Sequence, residues 1–498
     1  MLRKTRKIAA AALFILLTLL FLDFTGTLHF WFGLLAKIQI IPAILSVNLM
    51  IIIGLVLLTF LFGRIYCSVI CPLGILQDGI SNVAGRRKGK KNRFVYSAAK
   101  SWLRYGVLGL FILALILGIG AVVSILDPYA AFGRIASNFF SPIYRWGNNL
   151  LAWFAERADS YAFYSTEVRI KGWITFGIAA ITFLIVGILA WRSGRTYCNT
   201  ICPVGTILGI LSKISVFKPT FNAEKCTKCK ACERGCKSSC IDATTMKIDY
   251  SRCVTCFNCI DRCKVGAIKY APVKVGKKIR TDSTDNEQGG LTRRNMLTLL
   301  GTMALTATVK AQQLYVDGGL AVIENKKIPN RKTPIVPPGA ESAQNMKKRC
   351  TACQLCVSAC PNNVLRPSNK PATFMQPEMS FEKGYCRPEC VECSQVCPTS
   401  AIKPITTAEK SALSIGKAVW IAENCVVIGD EIQCHSCEQR CPAKAIMLIE
   451  RDPNDGDSLK IPVIDKELCI GCGACEFHCP ARPFSAIYIE GNVRHHSI

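Results

Sequence analysis

The chain has 498 residues, 50% of them hydrophobic, with a formal net charge of +27 and 29 cysteines. This length allows about three domains. The longest basic run, at residues 86–93, lies between two long apolar segments. This pattern fits the positive cytoplasmic loops of membrane proteins better than a nucleic-acid partner, so we expect a membrane protein that binds no nucleic acid.

A basic N-terminus is followed by four long apolar segments, at residues 8–35, 38–62, 102–126 and 174–191. Each has about the 20 apolar residues that a helix needs to cross a bilayer. A cleavable signal peptide would explain only the first of them. The sequence therefore predicts an α-helical membrane domain with four transmembrane helices over residues 1–215. The N-terminus, the basic loop and the end of the fourth span are expected in the cytoplasm.

Residues 127–171, between the third and fourth spans, are then expected outside the membrane. The segment is rich in aromatic residues, including Trp146 and Trp153. Aromatic side chains among polar ones are typical of the membrane interface. An interfacial amphipathic helix is therefore predicted here rather than a globular insert.

A twelve-residue motif occurs twice in this half of the chain. GRIYCSVICPLG at residues 63–74 is echoed by GRTYCNTICPVG at residues 194–205, and each copy follows a pair of spans. The domain is thus predicted to be a duplicated helical hairpin, whose symmetry would bring Cys67, Cys71, Cys198 and Cys202 together. Three interpretations stay open: a bound cluster or soft metal, redox dithiols, or small buried side chains.

A pair of cysteine quartets follows at residues 216–272, with the spacing C-x2-C-x2-C-x3-C. Iron–sulfur ligation explains this recurring triplet better than disulfides or zinc knuckles. The fourth cysteine of each quartet in such ferredoxins ligates the other cluster. The predicted ligand sets are Cys226, Cys229, Cys232 with Cys263, and Cys253, Cys256, Cys259 with Cys236.

Two features of this module depart from the standard pattern. Lys237 and Lys264 stand where a proline is usual, and a positive charge beside a cluster should favour its reduced form. Cys240 falls where the second quartet has Ala267, so it is interpreted as a spare buried thiol.

The middle of the chain is polar. Residues 273–290 form a predicted linker, and Arg293 and Arg294 then precede a short apolar run, so residues 291–311 resemble a twin-arginine export signal or a membrane anchor. A buried or amphipathic helix is the alternative. Residues 312–349 contain several prolines and are predicted to be an extended linker.

Four further quartets occupy residues 350–498, which are predicted to be a polyferredoxin domain with an α+β ferredoxin-like fold. The same crossing rule assigns the ligand sets. They are Cys350, Cys353, Cys356 with Cys397; Cys386, Cys390, Cys393 with Cys360; Cys425, Cys434, Cys437 with Cys479; and Cys469, Cys472, Cys475 with Cys441. Six [4Fe–4S] clusters are therefore expected in all.

The two CxxxCP motifs and the module that follows them resemble the NapH family of membrane ferredoxin-type proteins, over about residues 1–271. That resemblance implies a quinol dehydrogenase of periplasmic nitrate reduction, although accessory polyferredoxins of other pathways share these motifs. The stretch PPGA at residues 337–340, ahead of four quartets, resembles NapG-type periplasmic ferredoxins. The whole chain is similar to a NapH-like and a NapG-like protein joined end to end, which would place the last domain in the periplasm of a bacterium with an inner membrane.

The chain has no P-loop, no haem attachment motif and no dinucleotide-binding motif in a strand-to-helix context. The predicted function is therefore quinol oxidation, with electrons passing from the quinone pool through clusters to a periplasmic redox protein or reductase. Asp23, His29, Asp127 and Arg134 are candidate quinol-site residues, although polar residues at membrane boundaries are more often anchors. The alternative is an assembly or reactivation factor that handles copper at the CxxxCP thiols.

Overall fold

The computed structural model describes residues 2–23, 26–86, 94–160, 163–166, 168, 170–272, 315–317, 321–452 and 458–498. Most of the basic run at residues 87–93, the linker at 273–290 and the twin-arginine segment at 291–311 lie outside the described residues. The predictions for these segments stay predictions.

The described residues between 2 and 215 form a helical unit without strands, the helical domain. Pro72 and Pro203, which follow the last cysteine of each motif, occupy the first turn of a helix, where a missing amide costs nothing. The helices are α1 (Leu2–Leu22), α2 (Thr27–Phe32), α3 (Leu34–Lys37), α4 (Ile40–Leu45), α5 (Leu49–Phe62), α6 (Tyr66–Val69), α7 (Pro72–Gly85), α8 (Ser101–Ile116), α9 (Gly120–Leu126), α10 (Pro128–Ile135), α11 (Ser141–Arg157), α12 (Trp173–Ser193), α13 (Thr196–Thr200) and α14 (Pro203–Ser212).

In three of the four predicted spans the structure has more than one helix, and only α12 matches its predicted span as a single helix. The first ends at Leu22, the second breaks between α4 and α5, where Asn48 caps the new helix, and the third breaks at Gly118, which has a φ of +68°. Among the described residues, α1 and α12 are the two helices long and apolar enough to cross a bilayer. The four-span arrangement therefore stays a prediction.

The two halves of the helical domain exchange their motif helices. The helix after the first motif, α7, packs on α12 of the second half, and α14 after the second motif packs on α5 of the first half. Each motif helix also contacts the first helix of a hairpin, α7 with α1 and α14 with α8. The two hairpins thus make matching contacts and form one core.

The segment at residues 127–171 differs from its prediction. All eight residues of α10 are buried, so this helix belongs to the core and does not lie in an interface. It continues through a π-helical turn, Ala136–Phe140, into α11. Only α11 has the exposed aromatic side chains expected of an interfacial helix, with Trp146 72% exposed.

Residues 216–272, the two-quartet unit, contain short strands and helices around the first eight quartet cysteines. β1 pairs with β4 in antiparallel register from Phe217↔Pro272 to Phe221↔Ile268, and β2 pairs with β3. The elements are β1 (Phe217–Phe221), α15 (Ala231–Arg234), β2 (Ile241–Asp242), β3 (Lys247–Ile248), α16 (Asn258–Arg262) and β4 (Ile268–Pro272).

Residues 324–498 form the four-quartet unit, preceded by the paired strands β5 (Tyr315–Asp317) and β6 (Ala321–Ile323). Its longest strands, β9 and β12, pair in antiparallel fashion with an irregularity between Gly491 and His496; β7 pairs with β8 and β10 with β11. The elements are α17 (Ala343–Arg349), α18 (Leu355–Ala359), β7 (Leu365–Pro367), β8 (Pro377–Met379), α19 (Glu392–Gln395), α20 (Thr407–Ser411), β9 (Leu413–Trp420), α21 (Val426–Gly429), α22 (Ser436–Gln439), β10 (Ile446–Glu450), β11 (Lys460–Ile464), α23 (Ala474–His478) and β12 (Ile487–Ser497).

The proline-rich segment before Cys350 is packed, in contrast to its prediction as a linker. Ile335 and Val336 are buried, and Arg331 forms an ion pair with Glu476 beside the last quartet. Prolines favour extended backbone, but extended backbone packs well when apolar residues alternate with them. The described part of this segment thus belongs to the four-quartet unit.

The two quartet units contact opposite ends of α1. At its N-terminal end, Arg3 forms an ion pair of 3.0 Å with Asp261 of the two-quartet unit. Beyond its C-terminal end, the Glu392 carboxylate of the four-quartet unit lies against Gly26, and α18 packs on α1. A helix of 21 residues is about 30 Å long, so the helical domain separates the two units by roughly that distance.

Candidate functional site

All 29 cysteines lie among the described residues, and all of them are free thiols. In the described part of the chain, no group of three or more His, Cys, Asp or Glu side chains converges closely enough to hold a single metal ion. A tetrahedral zinc site needs four ligands at about 2.3 Å from one point. The thiols are therefore grouped more loosely than disulfides or structural zinc require.

Four cavities are each lined by three cysteines of one quartet and the fourth cysteine of its partner. They are site A with Cys226, Cys229, Cys232 and Cys263; site B with Cys253, Cys256, Cys259 and Cys236; site D with Cys386, Cys390, Cys393 and Cys360; and site F with Cys469, Cys472, Cys475 and Cys441. The structure thus brings together the cysteines that the crossing rule combines.

The remaining two sets are close neighbours as well. In site C, Cys397 lies within electrostatic range of Cys350, Cys353 and Cys356. In site E, Cys434 and Cys479 are neighbours of Cys437, whereas Cys425 is assigned to this set by the crossing rule alone. The eight-residue spacer after Cys425 contains the short helix α21, which absorbs its extra length.

The backbone around these cysteines fits an iron–sulfur cluster. In the four quartets with standard spacing, the residues two and four positions after the first cysteine have positive φ; these pairs are Lys228 and Lys230, Thr255 and Phe257, Ala352 and Gln354, and Gly471 and Gly473. Left-handed residues in such loops turn successive amides toward one point and form an anion-binding nest. A cluster held by four thiolates is such an anion.

Amide groups also donate hydrogen bonds to several of the predicted ligand sulfurs, which stabilises thiolates. The Sγ atoms and their donors are Cys263 with Ala267 (3.2 Å), Cys350 with Ala352 (3.3 Å), Cys397 with Ile402 (3.4 Å), Cys441 with Ala445 (3.3 Å) and Cys479 with Ala486 (3.3 Å). When bound, [4Fe–4S] clusters would supply one-electron transfer at these sites.

Cys240 does not stand apart from the sites. It is buried, lines the cavity of site B, and its Sγ lies 3.5 Å from the Sγ of Cys236. Site B therefore has five thiols around it. The sequence predicted that Cys240 is a spare buried thiol. In the structure it is buried and contacts Cys236, a predicted ligand of site B.

The central thiols Cys67, Cys71, Cys198 and Cys202 are buried and lie within electrostatic range of one another. Burial raises the pKa of Cys71 and Cys202, so these thiols would stay protonated unless a bound cation converted them to thiolates. The duplicated motif has thus produced one shared group of four thiols in the core.

The arginines of the two motifs cross between the halves. Arg195 of the second motif donates to the carbonyl oxygen of Cys67 (2.5 Å), and Arg64 of the first donates to that of Cys198 (3.3 Å). Gln77, which the sequence did not single out, donates to the Sγ of Cys198 (3.2 Å). Two buried cations therefore hold the motif backbones against each other around the thiols.

An acidic residue that the sequence did not single out anchors one of these arginines. Asp78 accepts from Arg195 (2.9 Å) and Arg6 (3.3 Å), and it lies 3.4 Å from Lys237 of the two-quartet unit. Burial alone would raise the pKa of Asp78, but Arg195 and Lys237 outweigh it and hold that pKa well below its usual range. The charge of Lys237 is thus paired, which weakens its expected effect on site B.

Arg64 has different acceptors from those of Arg195. It donates to the carbonyl oxygen of Ser251 in the two-quartet unit (2.9 Å), and Arg104 of α8 donates to the hydroxyl of the same serine (3.1 Å). Ser251 approaches the helical domain at Gly209, where an added Cβ atom would lie 2.5 Å from its carbonyl oxygen. Gly209 stands eleven residues after Cys198, as Asp78 stands eleven residues after Cys67.

The sequence-predicted boundary residues lie on the side of the core that contacts the four-quartet unit. Asp23 contacts His29 (3.3 Å), and Asp127 caps α10 through the amides of Tyr129 and Ala130. Burial raises the pKa of Asp127 to about 7. Asp23 and Asp127 thus both have structural roles, as the partner of His29 and as the cap of α10.

Arg134 is the exception, because it is fully buried and, among the described residues, none of its three side-chain nitrogens has a hydrogen-bond acceptor. Its electrostatic neighbours are Asp127, Tyr197 of the second motif and Cys353 of site C. The Tyr129 hydroxyl, also near Cys353, has no hydrogen-bond partner in the described part of the chain either. Buried polar groups without partners are rare, and these two face the space between the central thiols and site C.

The sites follow one another through the molecule. Site A contains the exposed Cys229, and site B lies against the motif arginines. Across the helical domain, site C lies beside Arg134; Cys393 of site D neighbours Cys356, and the amide of Cys386 bonds to the carbonyl of Cys472 in site F (2.9 Å). The order is therefore A, B, central thiols, C, D, F and E.

Three family models match parts of the chain. A 4Fe-4S binding domain matches residues 46–91 and 174–222, and each match contains one CxxxCP motif. A 4Fe-4S dicluster domain matches residues 432–482, and a further 4Fe-4S binding domain matches residues 346–366. The central motifs are thus similar to a cluster-binding domain, as the quartets are.

Curated relatives match about a third of the chain. The methylamine utilization ferredoxin-type protein MauM of Methylophilus methylotrophus is 33% identical over 32% of this chain and 72% of its own length. The ferredoxin-type protein NapF of Escherichia coli K12 is 30% identical over 32% of this chain and 87% of its own. The putative electron transport protein YccM of the same bacterium is 21% identical over 46% of this chain and 56% of its own.

No solved structure matches the chain. The quartets, their nests and these relatives agree on iron–sulfur electron transfer. The chain belongs to the family of ferredoxin-type 4Fe-4S electron-transfer proteins that includes MauM and NapF.

Proposed function

We propose that this protein is a membrane-bound electron carrier that oxidises quinol and passes the electrons through clusters to a periplasmic redox protein or reductase. One observation carries the proposal: the two quartet units contact opposite ends of the helical domain, and the central thiols lie between them. A soluble ferredoxin has no need for apolar helices between its clusters. A carrier that serves both sides of a membrane does.

The route proposed for the electrons follows the order of the sites. On one side, Lys237 next to Cys236 contacts Asp78, and through Arg195 the contact reaches the backbone of Cys67. On the other side, Arg134 lies between the second motif and Cys353. The central thiols, holding a cluster, would complete a chain of seven centres.

Quinol is the proposed donor because it releases two electrons that can leave one at a time, as one-electron clusters require. The export of the four-quartet unit by the twin-arginine segment, and the origin of the chain as a NapH-like and a NapG-like protein joined together, belong to the same proposal. With the N-terminus inside, an even number of spans keeps the two-quartet unit in the cytoplasm.

Iron analysis tests the cluster content. The purified protein, reconstituted anaerobically, should hold about 24 irons in six clusters, or about 28 if the central thiols hold another. Cys67→Ala with Cys198→Ala should lower the higher value by about four. A content of about eight irons, the value for two clusters, would contradict the proposed chain.

Quinol-driven reduction tests the activity. Mixing the oxidised protein with a short-chain naphthoquinol should bleach the cluster absorbance, and the quinone product should form in proportion. Protease added to intact spheroplasts tests the topology, since it should remove the four-quartet unit and spare the two-quartet unit. Retention of the C-terminus would show that the proposed export does not occur.

A second candidate function is copper handling during the assembly of a respiratory enzyme. The four buried central thiols favour it, because thiolates are soft ligands that suit Cu(I). Equilibrium dialysis against Cu(I) separates the two functions. Stoichiometric copper that is lost in the Cys67→Ala and Cys198→Ala double variant, without quinol-driven cluster reduction, would support this alternative.

A further inference from the structure

The two quartets of the two-quartet unit correspond residue by residue, with Cys226 opposite Cys253. Three corresponding pairs, with the residue of site B first, are Thr255 and Lys228, Phe257 and Lys230, and Lys237 and Lys264. The residues of site B are buried, whereas the three lysines of site A are exposed. Equivalent faces of the two quartets therefore have different surroundings.

The face of site B is an interface with the helical domain. The Thr255 hydroxyl donates to the carbonyl oxygen of Phe62 (3.2 Å), and Lys237 lies 3.4 Å from Asp78. Thr255 and Lys237 are each only 5% exposed. Within this molecule, a quartet thus docks on another unit by placing the lysine after its fourth cysteine against an acid.

The equivalent face of site A is covered by no described part of the chain. Its exposed cations, which we call the lysine face, are Lys225, Lys228, Lys230 and Lys264. None of them forms an ion pair with a described residue, in contrast to Lys237 at the equivalent face of site B. The lysine face therefore lacks the acid that its counterpart has.

The acids nearby do not neutralise this charge. Asp261 is paired with Arg3 (3.0 Å), and Glu233 is buried, where it accepts from the amide of Tyr96 (3.2 Å). Glu224 is exposed, but it is a single acid beside four lysines. The face therefore has a net positive charge.

The lysine face also gives direct access to site A. All 29 cysteines are described, and Cys229 is the one that is exposed. Val265, which is 45% exposed, lines site A together with Lys228 and Lys230. A less polar centre within a charged rim is typical of transient protein interfaces, and the interfaces of electron-transfer partners are small.

We propose that the lysine face docks a soluble electron-carrier protein with an acidic surface, and that the carrier passes single electrons to site A. In each transfer the reduced carrier loses one electron and site A gains it, with no bond made or broken. The inference goes beyond the proposed function, because it gives the chain of centres a protein donor besides quinol.

The experiment mixes the full-length, cluster-loaded protein with a reduced plant-type [2Fe–2S] ferredoxin, an acidic carrier of low potential. The protein is held in phosphatidylcholine nanodiscs, and stopped-flow absorbance follows the oxidation of the ferredoxin. The second-order rate constant should fall steeply as salt is added, because salt screens the attraction between opposite charges.

The test variant combines Lys228→Gln, Lys230→Gln and Lys264→Gln. At low salt it should react about tenfold more slowly than the wild type at equal iron content, since electrostatic steering raises association rates by about 10- to 1,000-fold. At high salt the two rates should converge. A tenfold loss that persists at high salt would mean that the lysines act on site A itself, and it would overturn the docking.

The control variant makes the same change in net charge elsewhere. It combines Lys347→Gln, Lys348→Gln and Lys370→Gln, three exposed lysines of the four-quartet unit. It should react at the wild-type rate. An equal loss in both variants would show that the ferredoxin responds to the overall charge of the protein and would overturn the lysine face as its docking site.

Lysine acetylation identifies what covers the face. Ferredoxin should protect Lys228, Lys230 and Lys264 from acetylation and leave Lys347 and Lys348 reactive. Protection of the lysine face by phosphatidylglycerol nanodiscs alone, without ferredoxin, would show that it contacts anionic lipid. That result would overturn the proposal.

The outcomes separate this inference from the proposed function. Quinol-driven reduction should be unchanged in the Lys228, Lys230 and Lys264 variant, so a wild-type ferredoxin rate in that variant would overturn the lysine face alone. A protein that accepts electrons from ferredoxin at this face but not from quinol would overturn quinol oxidation and leave the docking site standing.

Discussion

The two halves of the helical domain carry the same motif but satisfy its arginine in different ways. In the first half, Asp78 of the domain itself accepts from Arg195. In the second half the equivalent position is Gly209, and Arg64 donates to the Asn199 side chain (3.0 Å) and to the carbonyl oxygen of Ser251 in the two-quartet unit (2.9 Å). Because Gly209 has no side chain, Ser251 of the two-quartet unit can pack against the second half at this position.

The difference shows how a core built from two similar halves binds one partner through both of them. Lys237, next to Cys236, contacts the first half at Asp78, and Ser251, two residues before Cys253, contacts the second half at Gly209. Both cysteines belong to site B. The docking contacts thus fix site B, and not site A, against the central thiols.

Placing an aspartate at position 209, as at the equivalent position 78 of the first half, should weaken the docking of the two-quartet unit on the helical domain. In Gly209→Asp, the new Cβ would lie 2.5 Å from the carbonyl oxygen of Ser251, so the two-quartet unit must move away and Arg64 loses one of its acceptors, the carbonyl oxygen of Ser251. We expect docking to weaken by about 5 kcal/mol from overpacking and lost charged hydrogen bonds. Limited proteolysis between residues 216 and 272 should then become rapid.

Gly79→Ala is the control for that substitution. Gly79 lies next to Asp78 in α7, and an added Cβ there meets nothing within 4 Å. Proteolysis should match the wild type. Slow wild-type cleavage in Gly209→Asp would mean that Ser251 is not seated at that glycine in solution.

Removing the acid of the first half should have a smaller effect. Asp78→Asn keeps a hydrogen-bond acceptor but leaves Arg6, Arg195 and Lys237 without a counter-charge. The expected loss is about 3 kcal/mol, at the low end for breaking a buried ion pair, measured as a fall in the midpoint of chemical denaturation. Because the pKa of Asp78 is depressed in the folded protein, its contribution is full above about pH 4 and is lost as the pH falls.

If Asp78→Asn unfolds at the same denaturant concentration as the wild type at pH 7, the ion-pair network contributes nothing. Adding Lys237→Met to Asp78→Asn separates docking from core stability. The second substitution should lower the denaturation midpoint little further, because Lys237 and Asp78 act as a pair.

The halves also differ at the motif tyrosine, and this difference predicts a change in redox potential. The Tyr66 hydroxyl donates to Gln39 (2.8 Å), whereas Tyr197 has the cation Arg134 as its neighbour. Arg134→Met removes a buried positive charge beside Cys353, so the potential of site C should fall on the order of 50–100 mV. EPR-monitored redox titration measures the shift.

Arg192→Met, at an exposed position near the end of α12, is the control and should leave the potential unchanged. Arg134→Lys should restore part of the loss, because it restores the charge. Equal potentials in the wild type and Arg134→Met would show that the arginine acts on some other group.

The cysteine spacing predicted which thiols come together, because ligand spacing in short loops is a local property of the chain. The helices were predicted less well. An apolar run does not reveal where a residue such as Gly118 interrupts it, and the aromatic residues after Asp127 did not indicate that α10 is buried. Gly209 and Ser251 gave no signal, because their roles come from contacts between distant parts of the chain.

One signal for the asymmetry was present in the sequence. Aligning the two motifs and reading eleven residues past each first cysteine sets Asp78 opposite Gly209. This alignment does not reveal that Ser251 of the two-quartet unit occupies the space beside Gly209. That information exists only once the two-quartet unit is folded against the helical domain.

The central claim is that the thiols of both motifs form one site through which electrons pass between the two quartet units. Rapid-freeze-quench EPR after mixing with quinol tests it most directly, in the wild type and in the variant with Cys67, Cys71, Cys198 and Cys202 all replaced by alanine. The account predicts that in this variant one quartet unit is reduced at the wild-type rate, whereas the other stays oxidised. Reduction of both quartet units at the wild-type rate, with all six clusters loaded, would contradict it.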